Sequence, residues 1–426
     1  LSWEFFSADE IAARGLRAMR NHVRHVKECS PYYQEVLRDI NPDDIKGIED
    51  IQRLPFTDKK TVTTQTERFL GTSKENVVET VITSGSTGAP LVFCMTASDL
   101  DRLAYNEALS FFGAGVTAAD VAHVMVSLDR MFIAGMAYYR GLTLLGANTS
   151  RVGIVPAEMK KHYLELLKPT VIVCVPSYMR KLGLELNTLG FNTRDCSIKR
   201  IFCIGESIRD QSMQLNALGK NLEEMFRAQV FSTYASTEIS VAYCECSAQQ
   251  GGHAHPELIY TEIVDEKGNP VPDGTPGELI ATPLGVEGTP LLRYRTGDIT
   301  IKMSEPCSCG RNSLRIGPIL ARRSQTLKVK GTTIFPLTVT NALDEFDEIQ
   351  DYVILLEGDA STLSDQVTIH AAVTPDMVPA IVESIRAHAR VSLPVLVSNV
   401  KTIQMLRGGD SRKKLRVIDK RYGHRA

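Results

Sequence analysis

At 426 residues the chain is longer than a single hydrophobic core usually serves, so two or more domains are expected. A hydrophobic share of 43% and a charged share of 23% are those of a soluble globular protein, and no apolar run approaches membrane-spanning length, so no membrane partner is expected. The formal net charge of -2 excludes the strongly basic balance of a protein whose principal partner is nucleic acid.

The opening stretch LSWEFFSADE has neither a basic flank nor an apolar core, so no secretory signal is expected and the location is read as cytoplasmic. Residues 8 to 28 carry apolar side chains at mixed three- and four-residue spacing among basic ones, which predicts an amphipathic helix on the surface of the large domain. A short helix is expected around Tyr32 to Leu37. After the loop Leu54-Pro55-Phe56-Thr57-Asp58, either Thr57 or Asp58 is suited to cap a helix beginning at Lys59.

From about 76 to 202, short β-rich runs alternate with helical stretches. VAHVMVSL, TVIVCVP and RIFCIG read as buried strands, and the segments near 98–113, 134–145, 157–167 and 177–189 read as helices. Such alternation predicts an α/β fold with largely parallel sheets, in which ligands bind at the loops that follow strands. Between about 258 and 301 the turn-dense GNPVPDG and DGTPGE separate LIYTEIV, GELIATP and LLRYR, a β-rich subdomain of the same large unit. After Arg322, TLKVKGTTIFP, YVILLEG, QVTIHAAV and PVLVSNV read as strands with helices near 337–346 and 377–391, as suits a small α+β domain. The tail from Arg407 to Arg416 is a glycine-hinged basic loop expected to be mobile.

Several short motifs fall at strand ends. TSGSTGAP (83–90) follows Val81-Ile82 and packs four hydroxyls and two glycines into eight residues, a composition suited to surrounding phosphate oxygens. It has neither the Gly-Lys-Ser/Thr ending nor the G-x-G-x-x-G spacing of the commonest nucleotide loops, and a Ser/Thr/Gly surface turn would look similar. Gly205-Glu206-Ser207 follows RIFCI, and Tyr234-Ala235-Ser236-Thr237-Glu238 follows QVFS.

Nine cysteines with uneven spacing do not form a disulfide framework. Cys94, Cys174 and Cys203 lie in apolar runs and read as small buried hydrophobes. Cys244, Cys246, Cys307 and Cys309 form two C-x-C pairs. Cys246, His253, Cys307 and Cys309 together offer four soft donors, and four protein ligands close a site in the manner of structural zinc. Cys244 and His255 are alternative ligands, and four reduced, unliganded side chains are the plain alternative, since C-x-C is looser than the usual zinc spacing.

Taken in order, TSGSTGAP, GES, YASTE, YRTGD (294–298), LKVKGTTIFP and a lysine-bearing tail resemble the adenylate-forming superfamily of acyl-CoA synthetases, and within it the phenylacetate-CoA ligase family. The resemblance runs from LPFTDKK at 54 to RVIDKR at 416–421. It implies a large N-terminal adenylate-forming domain with parallel sheets and a β-rich subdomain over 1–322, and a small mobile α+β domain over 323–426. It also implies a reaction in which a carboxylic acid is joined to AMP with loss of pyrophosphate, and AMP is then replaced by the thiol of coenzyme A. The expected ligands are ATP, Mg²⁺, coenzyme A, a carboxylic acid and structural Zn²⁺. The sequence leaves the oligomeric state open, a homodimer included.

By the same resemblance Ser84, Ser86, Thr87 and Gly88 surround the β- and γ-phosphates, although the lysine common in that loop is missing around Pro90. Tyr234 stacks on adenine, with Ala235 and Ser236 beside it, Thr237 contacts the α-phosphate, and Glu238 holds Mg²⁺. Gly205, Glu206 and Ser207 line the adenine and acyl pocket. Asp298 accepts from both ribose hydroxyls, which its two oxygens allow. Arg322 precedes the hinge, where Ser324-Gln325 replace the usual acidic residues. Lys413 is the catalytic lysine of adenylation, with Lys414 its rival, and Gly409-Asp410-Ser411-Arg412 departs from the usual preceding pattern. Some members of the family carry Cys/His ligands at places matching the cluster above. The stretch from Asp129 to Tyr138 borders the acyl group, and its apolar and aromatic content suits an aromatic acid or, equally, a core. Two other readings stand beside the ligase: an adenylyltransferase that stops at an AMP adduct, as in relatives that adenylate a deazaflavin, and a catalytically silent nucleotide-binding scaffold.

Overall fold

The computed structural model describes residues 2–83, 90–129, 131–329, 332–357, 365–407 and 415–421. The chain divides into two compact units: one comprises 1–208, 219–296 and 300–318, the other 209–218, 297–299 and 319–426. The short stretch 297–299 puts Asp298 in the same unit as Arg322.

In the larger unit β1 (Glu79–Ile82) and β2 (Val92–Met95) form an antiparallel hairpin in the register Glu79↔Met95 to Ile82↔Val92. Beyond its paired ends, the Thr83 amide donates to Leu91 O (3.0 Å) and the Leu91 amide to Thr83 Oγ1 (2.9 Å). Strands β3 (Val121–Val124), β4 (Asn148–Arg151), β5 (Val171–Cys174), β6 (Arg200–Ile204) and β7 (Gln229–Ser236) pair in parallel in the order β4-β3-β5-β6-β7. β5 is buried at every position, which is why VIVC is continuously apolar instead of alternating.

The helix Ala97–Gly113 leads from β2 to β3, and helices fill the crossovers between the parallel strands at Ile133–Leu144, Ala157–Leu167, Pro176–Thr188 and Ala217–Phe226. Of the two candidates for the cap of Lys59–Thr64, Asp58 takes the role by accepting from the Thr61 amide; Ser7 and Glu10 make a capping box for Ala8–Cys29, and Thr96 and Asp99 make another for Ala97–Gly113. Asp99 also accepts from the Glu287 and Gly288 amides at 2.8 Å each. A side chain at 288 would meet Cys94 O at 2.1 Å, so only glycine lets this turn close on β2.

At β7 the sheet changes direction. Its partner β8 (Val241–Glu245) is antiparallel, and β9 (Gly252–His253) continues in that sense. β10 (Ile259–Val264) pairs antiparallel with β11 (Gly277–Pro283), and β12 (Tyr294–Thr300) follows, starting three residues later than LLRYR suggests. The chain then returns to the large sheet through β13 (Lys302–Met303) and β14 (Arg315–Ile316), with Arg315 opposite His253.

In the smaller unit β15 (Ala321–Arg322) pairs antiparallel with the end of β12, placing Arg322 opposite Asp298. β16 (Leu327–Val329) and β17 (Thr332–Ile334) form a hairpin before the helix Pro336–Asp344. β18 (Tyr352–Glu357), β19 (Gln366–Ala371), β20 (Val395–Val397) and β21 (Val417–Asp419) make a four-stranded sheet in the order β20-β19-β18-β21, and the helix Val378–Ala389 contributes Ile381 and Ile385 to its core. β21 and the helix Val400–Leu406 lie in a stretch whose polar tail obscured them. No described helix is long and apolar enough to cross a membrane.

Candidate functional site

Tyr234, Ala235 and Ser236 are the last residues of β7, and Thr237 and Glu238 begin the turn into β8. Tight reversal is carried by Ser240 in the left-handed region (φ 50°), whose amide donates to Thr237 O at 3.3 Å. Arg102 donates to Ser240 O (2.6 Å) and to the carbonyls of Leu284 (2.7 Å) and Leu258, so one buried guanidinium fixes the turn against two further loops. The Tyr234 ring lies 6.0 Å from that of Tyr243, whose hydroxyl is held by Thr261 at 2.7 Å. Tyr234 and Glu238 are half-buried and Ala235 is exposed.

One strand over, Gly205 takes the turn after β6 with φ 77° and leaves Glu206 and Ser207 at its tip. Glu206 already has a structural task. Its carboxylate accepts from the Ser177 amide (3.0 Å) and hydroxyl (2.8 Å), at the start of the helix Pro176–Thr188, where a negative charge meets the positive end of the helix. The stretch proposed to border an acyl group splits in two: Ile133, Gly135, Ala137 and Tyr138 are buried within the fold, whereas Met131 is exposed and offers its carbonyl to the Ile82 amide at 3.0 Å.

In the smaller unit the Asp298 carboxylate is buried and lies 3.6 Å from Arg322 Nε. The segment after Arg322 is tied down by Arg421, which donates to the carbonyls of Ser324 and Thr326 while pairing with Asp419 (2.7 Å) and Asp365 (3.0 Å). Ser84, Ser86, Thr87, Gly88 and Lys413 lie outside the described residues. What precedes and follows Lys413 is described: Arg407 grips both oxygens of Asp351 at 2.7 Å and donates to Leu415 O at 2.8 Å, which pins the two ends of that segment together.

Cys246, His253, Cys307 and Cys309 converge, with their ligand atoms all within 4.8 Å of one another. Cys246 follows β8, His253 ends β9, and Cys307 and Cys309 sit in the turn between β13 and β14, so pairing of β9 with its neighbours assembles the group. The Cys246 and Cys307 sulfurs are 3.7 Å apart, and Cys309 Sγ is 3.6 Å from His253 Nε2. Zinc–sulfur and zinc–nitrogen bonds of ordinary length at the tetrahedral angle put sulfurs about 3.8 Å apart and a sulfur about 3.6 Å from a nitrogen, so these two separations match such an ion, within a group no wider than 4.8 Å. His253 Nδ1 is engaged by Ser313 Oγ at 2.9 Å, which leaves Nε2 for a metal.

Burial drives the His253 pKa down to about 3, so the ring is neutral as a ligand must be. Burial also pushes the Cys246 thiol up to about 12, an effect that a divalent cation reverses. At Cys309 burial acts in the same upward direction but is outweighed by hydrogen bonds from Arg311, and its pKa falls. All nine cysteines are free thiols. The two alternative ligands are engaged elsewhere: Cys244 Sγ is bonded by Thr233 Oγ1 at 3.2 Å, and His255 lies between Ser110 Oγ (3.0 Å) and Glu4 (3.2 Å). Glu4, Arg311 and Ser313, which surround the cluster, belong to no motif; Arg311 and Ser313 follow Cys309 closely in the chain, and Glu4 is brought there by the fold.

An α/β sheet with functional candidates at its strand ends, joined to a separate C-terminal α+β unit, is the architecture of adenylate-forming ligases. The family model described as AMP-binding enzyme matches residues 25–286, well over half of the chain, and the chain belongs to that family. A phenylacetate-coenzyme A ligase of Thermus thermophilus is 29% identical over 370 residues, covering 85% of this chain and 81% of that protein. The Escherichia coli phenylacetate-coenzyme A ligase is 26% identical, covering 82% and 79%. Among solved structures, a 2-hydroxyisobutyryl-CoA ligase in complex with 2-HIB-AMP matches with a TM-score of 0.85 at 20% identity, over 98% of this chain and 91% of that one, a likeness of fold. An anthranilate CoA ligase in complex with anthranoyl-AMP matches with a TM-score of 0.58 at 17% identity, over 77% and 64%.

Proposed function

We propose that the chain is an ATP-dependent, AMP-forming ligase that converts an aromatic, phenylacetate-like carboxylic acid to its acyl-CoA thioester. What carries this reading is similarity to curated phenylacetate-coenzyme A ligases at 26 to 29% identity over at least 82% of the chain. In the first step a carboxylate oxygen attacks the α-phosphorus of ATP and pyrophosphate leaves. In the second the coenzyme A sulfur attacks the acyl carbonyl and AMP leaves, the thiol proton passing to solvent.

In this reading Ser84, Ser86, Thr87 and Gly88 hold the β- and γ-phosphates, Tyr234 stacks on adenine, Thr237 contacts the α-phosphate and Asp298 holds the ribose. Glu238 shares Mg²⁺ with phosphate oxygens, and Lys413 stabilises the charge that builds on the α-phosphate during attack. Gly205, Glu206 and Ser207 line the adenine and acyl pocket, with the Glu206 carboxylate turned to the helix start at Ser177. The functional boundary is proposed at 322/323. Cys246, His253, Cys307 and Cys309 hold a structural Zn²⁺, supported by the donor spacing and the neutral His253. Free thiols throughout suit a cytoplasmic location.

Incubation with ATP, Mg²⁺, coenzyme A and a panel of aryl and arylacetic acids is expected to yield AMP, pyrophosphate and an acyl-CoA. Silence across the panel in protein that retains its metal overturns the reading. An AMP adduct formed equally well without coenzyme A would identify the adenylyltransferase, and ATP binding without turnover the silent scaffold.

A further inference from the structure

We propose that Glu4 is a positioning residue of the Cys/His knuckle, and that the segment Ser2–Phe6 and the knuckle order together as one metal-dependent unit. The inference rests on the zinc reading above. Glu4 sits in the short turn Trp3–Phe5, and its side chain is fully buried, a position a carboxylate takes only when paired. Its Oε2 lies 3.2 Å from Arg311 Nε, and its Oε1 lies 3.2 Å from His255 Nδ1.

Arg311 uses another nitrogen, Nη1, to donate to Cys309 Sγ at 3.5 Å. The planar fork is therefore set by Glu4 on one edge and by a ligand sulfur on another. Gly113 closes the third side, since a Cβ there would lie 3.0 Å from Arg311 Nη2. Three thiolates and a neutral imidazole around a divalent cation carry one net negative charge, and the Arg311 guanidinium, itself paired with Glu4, is a cation placed against that charge at Cys309.

The backbone repeats the connection. The Asn312 amide donates to Glu4 O at 2.7 Å, Asn312 Nδ2 donates to Phe6 O at 2.9 Å, and the Arg311 guanidinium lies 5.0 Å from the Phe5 ring centre. Residues 311 and 312 immediately follow the Cys307–Gly310 turn, so a metal that fixes that turn also fixes the partners of Ser2–Phe6. By linkage the segment holds the metal as firmly as the metal holds the segment.

The test uses the full chain as purified. Zinc is counted by elemental analysis, its release to a chromogenic chelator is timed, and amide exchange at Phe6 and Asn312 is followed before and after stripping. Glu4→Gln is expected to speed release tenfold or more, as loss of an outer-shell partner does. Arg311→Lys, which keeps the charge and loses the fork, is expected to speed it too. Ser7→Ala, which weakens the neighbouring helix cap without touching the knuckle, should leave release within twofold. In unmodified protein, stripping should raise exchange at both amides. Zinc present but released at the same rate from Glu4→Gln overturns this inference alone, as does unchanged exchange on stripping. A chain that holds no zinc and takes none up overturns this inference and the zinc reading together.

Discussion

The donors of the Cys/His knuckle come from three separate stretches and meet within 4.8 Å, held by backbone pairing between short strands and by buried partners such as Ser313. The residues assigned to the nucleotide are held differently. Gly205 and Ala235 are exposed, Tyr234 and Glu238 are half-buried, and what steadies them lies beneath: Arg102 under the β7–β8 turn, Tyr243 beside Tyr234 and Ser177 against Glu206. One group is closed without a substrate, and in the other Gly205, Tyr234, Ala235 and Glu238 keep surface toward solvent, with Asp298 alone buried among those named. A closed group should therefore report on stability when perturbed, and an open one on turnover.

The sharpest challenge to that division is Lys413→Ala. Loss of a cation positioned for transition-state charge should slow adenylation by on the order of 10² to 10³-fold with the melting temperature unmoved. Pyrophosphate release measured alongside nucleotide calorimetry checks this, and loss of adenylation in Lys414→Ala alone would transfer the role to the neighbour. Cys307→Ser tests the other pole. It should abolish zinc binding and cost several kcal/mol in denaturant titration, with the folded fraction keeping its KM for ATP.

A smaller effect separates the regions by pH. His22 is buried with Nε2 on Leu291 O at 2.9 Å, and burial lowers its pKa to about 4. Its unfolded form binds a proton near pH 6.5, which the folded form refuses, so the stability this residue contributes is intact above that pH and is lost as pH falls toward 4. His22→Gln should reduce the stability difference between pH 7 and pH 5 by about 2 kcal/mol, read from urea midpoints, while the pH profile of turnover stays unchanged. Least of all, Glu206→Gln should lower stability by about 1 kcal/mol through the weakened helix start and leave the KM for ATP within about threefold. A tenfold rise in that KM would instead mean that Glu206 touches the nucleotide directly.

Much of this was legible in the residues because the signals are local. The helices at 97–113 and 157–167 matched their apolar spacing to within a residue, Asp58 caps as expected, and the Cys/His set converged as the soft-donor pattern implied. What escaped depends on long-range pairing. VAHVMVSL is strand only over Val121–Val124, with the Met125 amide still bonded to Val173 O (2.9 Å) just past the strand end, and β12 begins at Tyr294 because its partners, not its own apolar run, set its register. Cys244 could not be told from Cys246 by spacing; β8 ends at Glu245, so Cys246 lies beyond the strand and joins the cluster, while Cys244 stays in the strand with its sulfur on Thr233. Glu206 carried a motif signal but not its helix partner, and Glu4 carried no signal, since its partners lie some 250 and 300 residues downstream.

The knuckle also has a bearing on chain topology. Cys246 and Cys307 are 61 positions apart, and the stretch between them leaves the large sheet after β9, runs through β10 to β12 and returns at β13. A metal bound there as proposed is a non-covalent staple across the neck of that excursion. For a loop of this length, closure restricts the unfolded ensemble by about 4 kcal/mol in the chain-entropy model. A chain that kept the metal on Cys246 and Cys307 while unfolded would refold from a closed loop, with the two ends of the β-rich segment already held together.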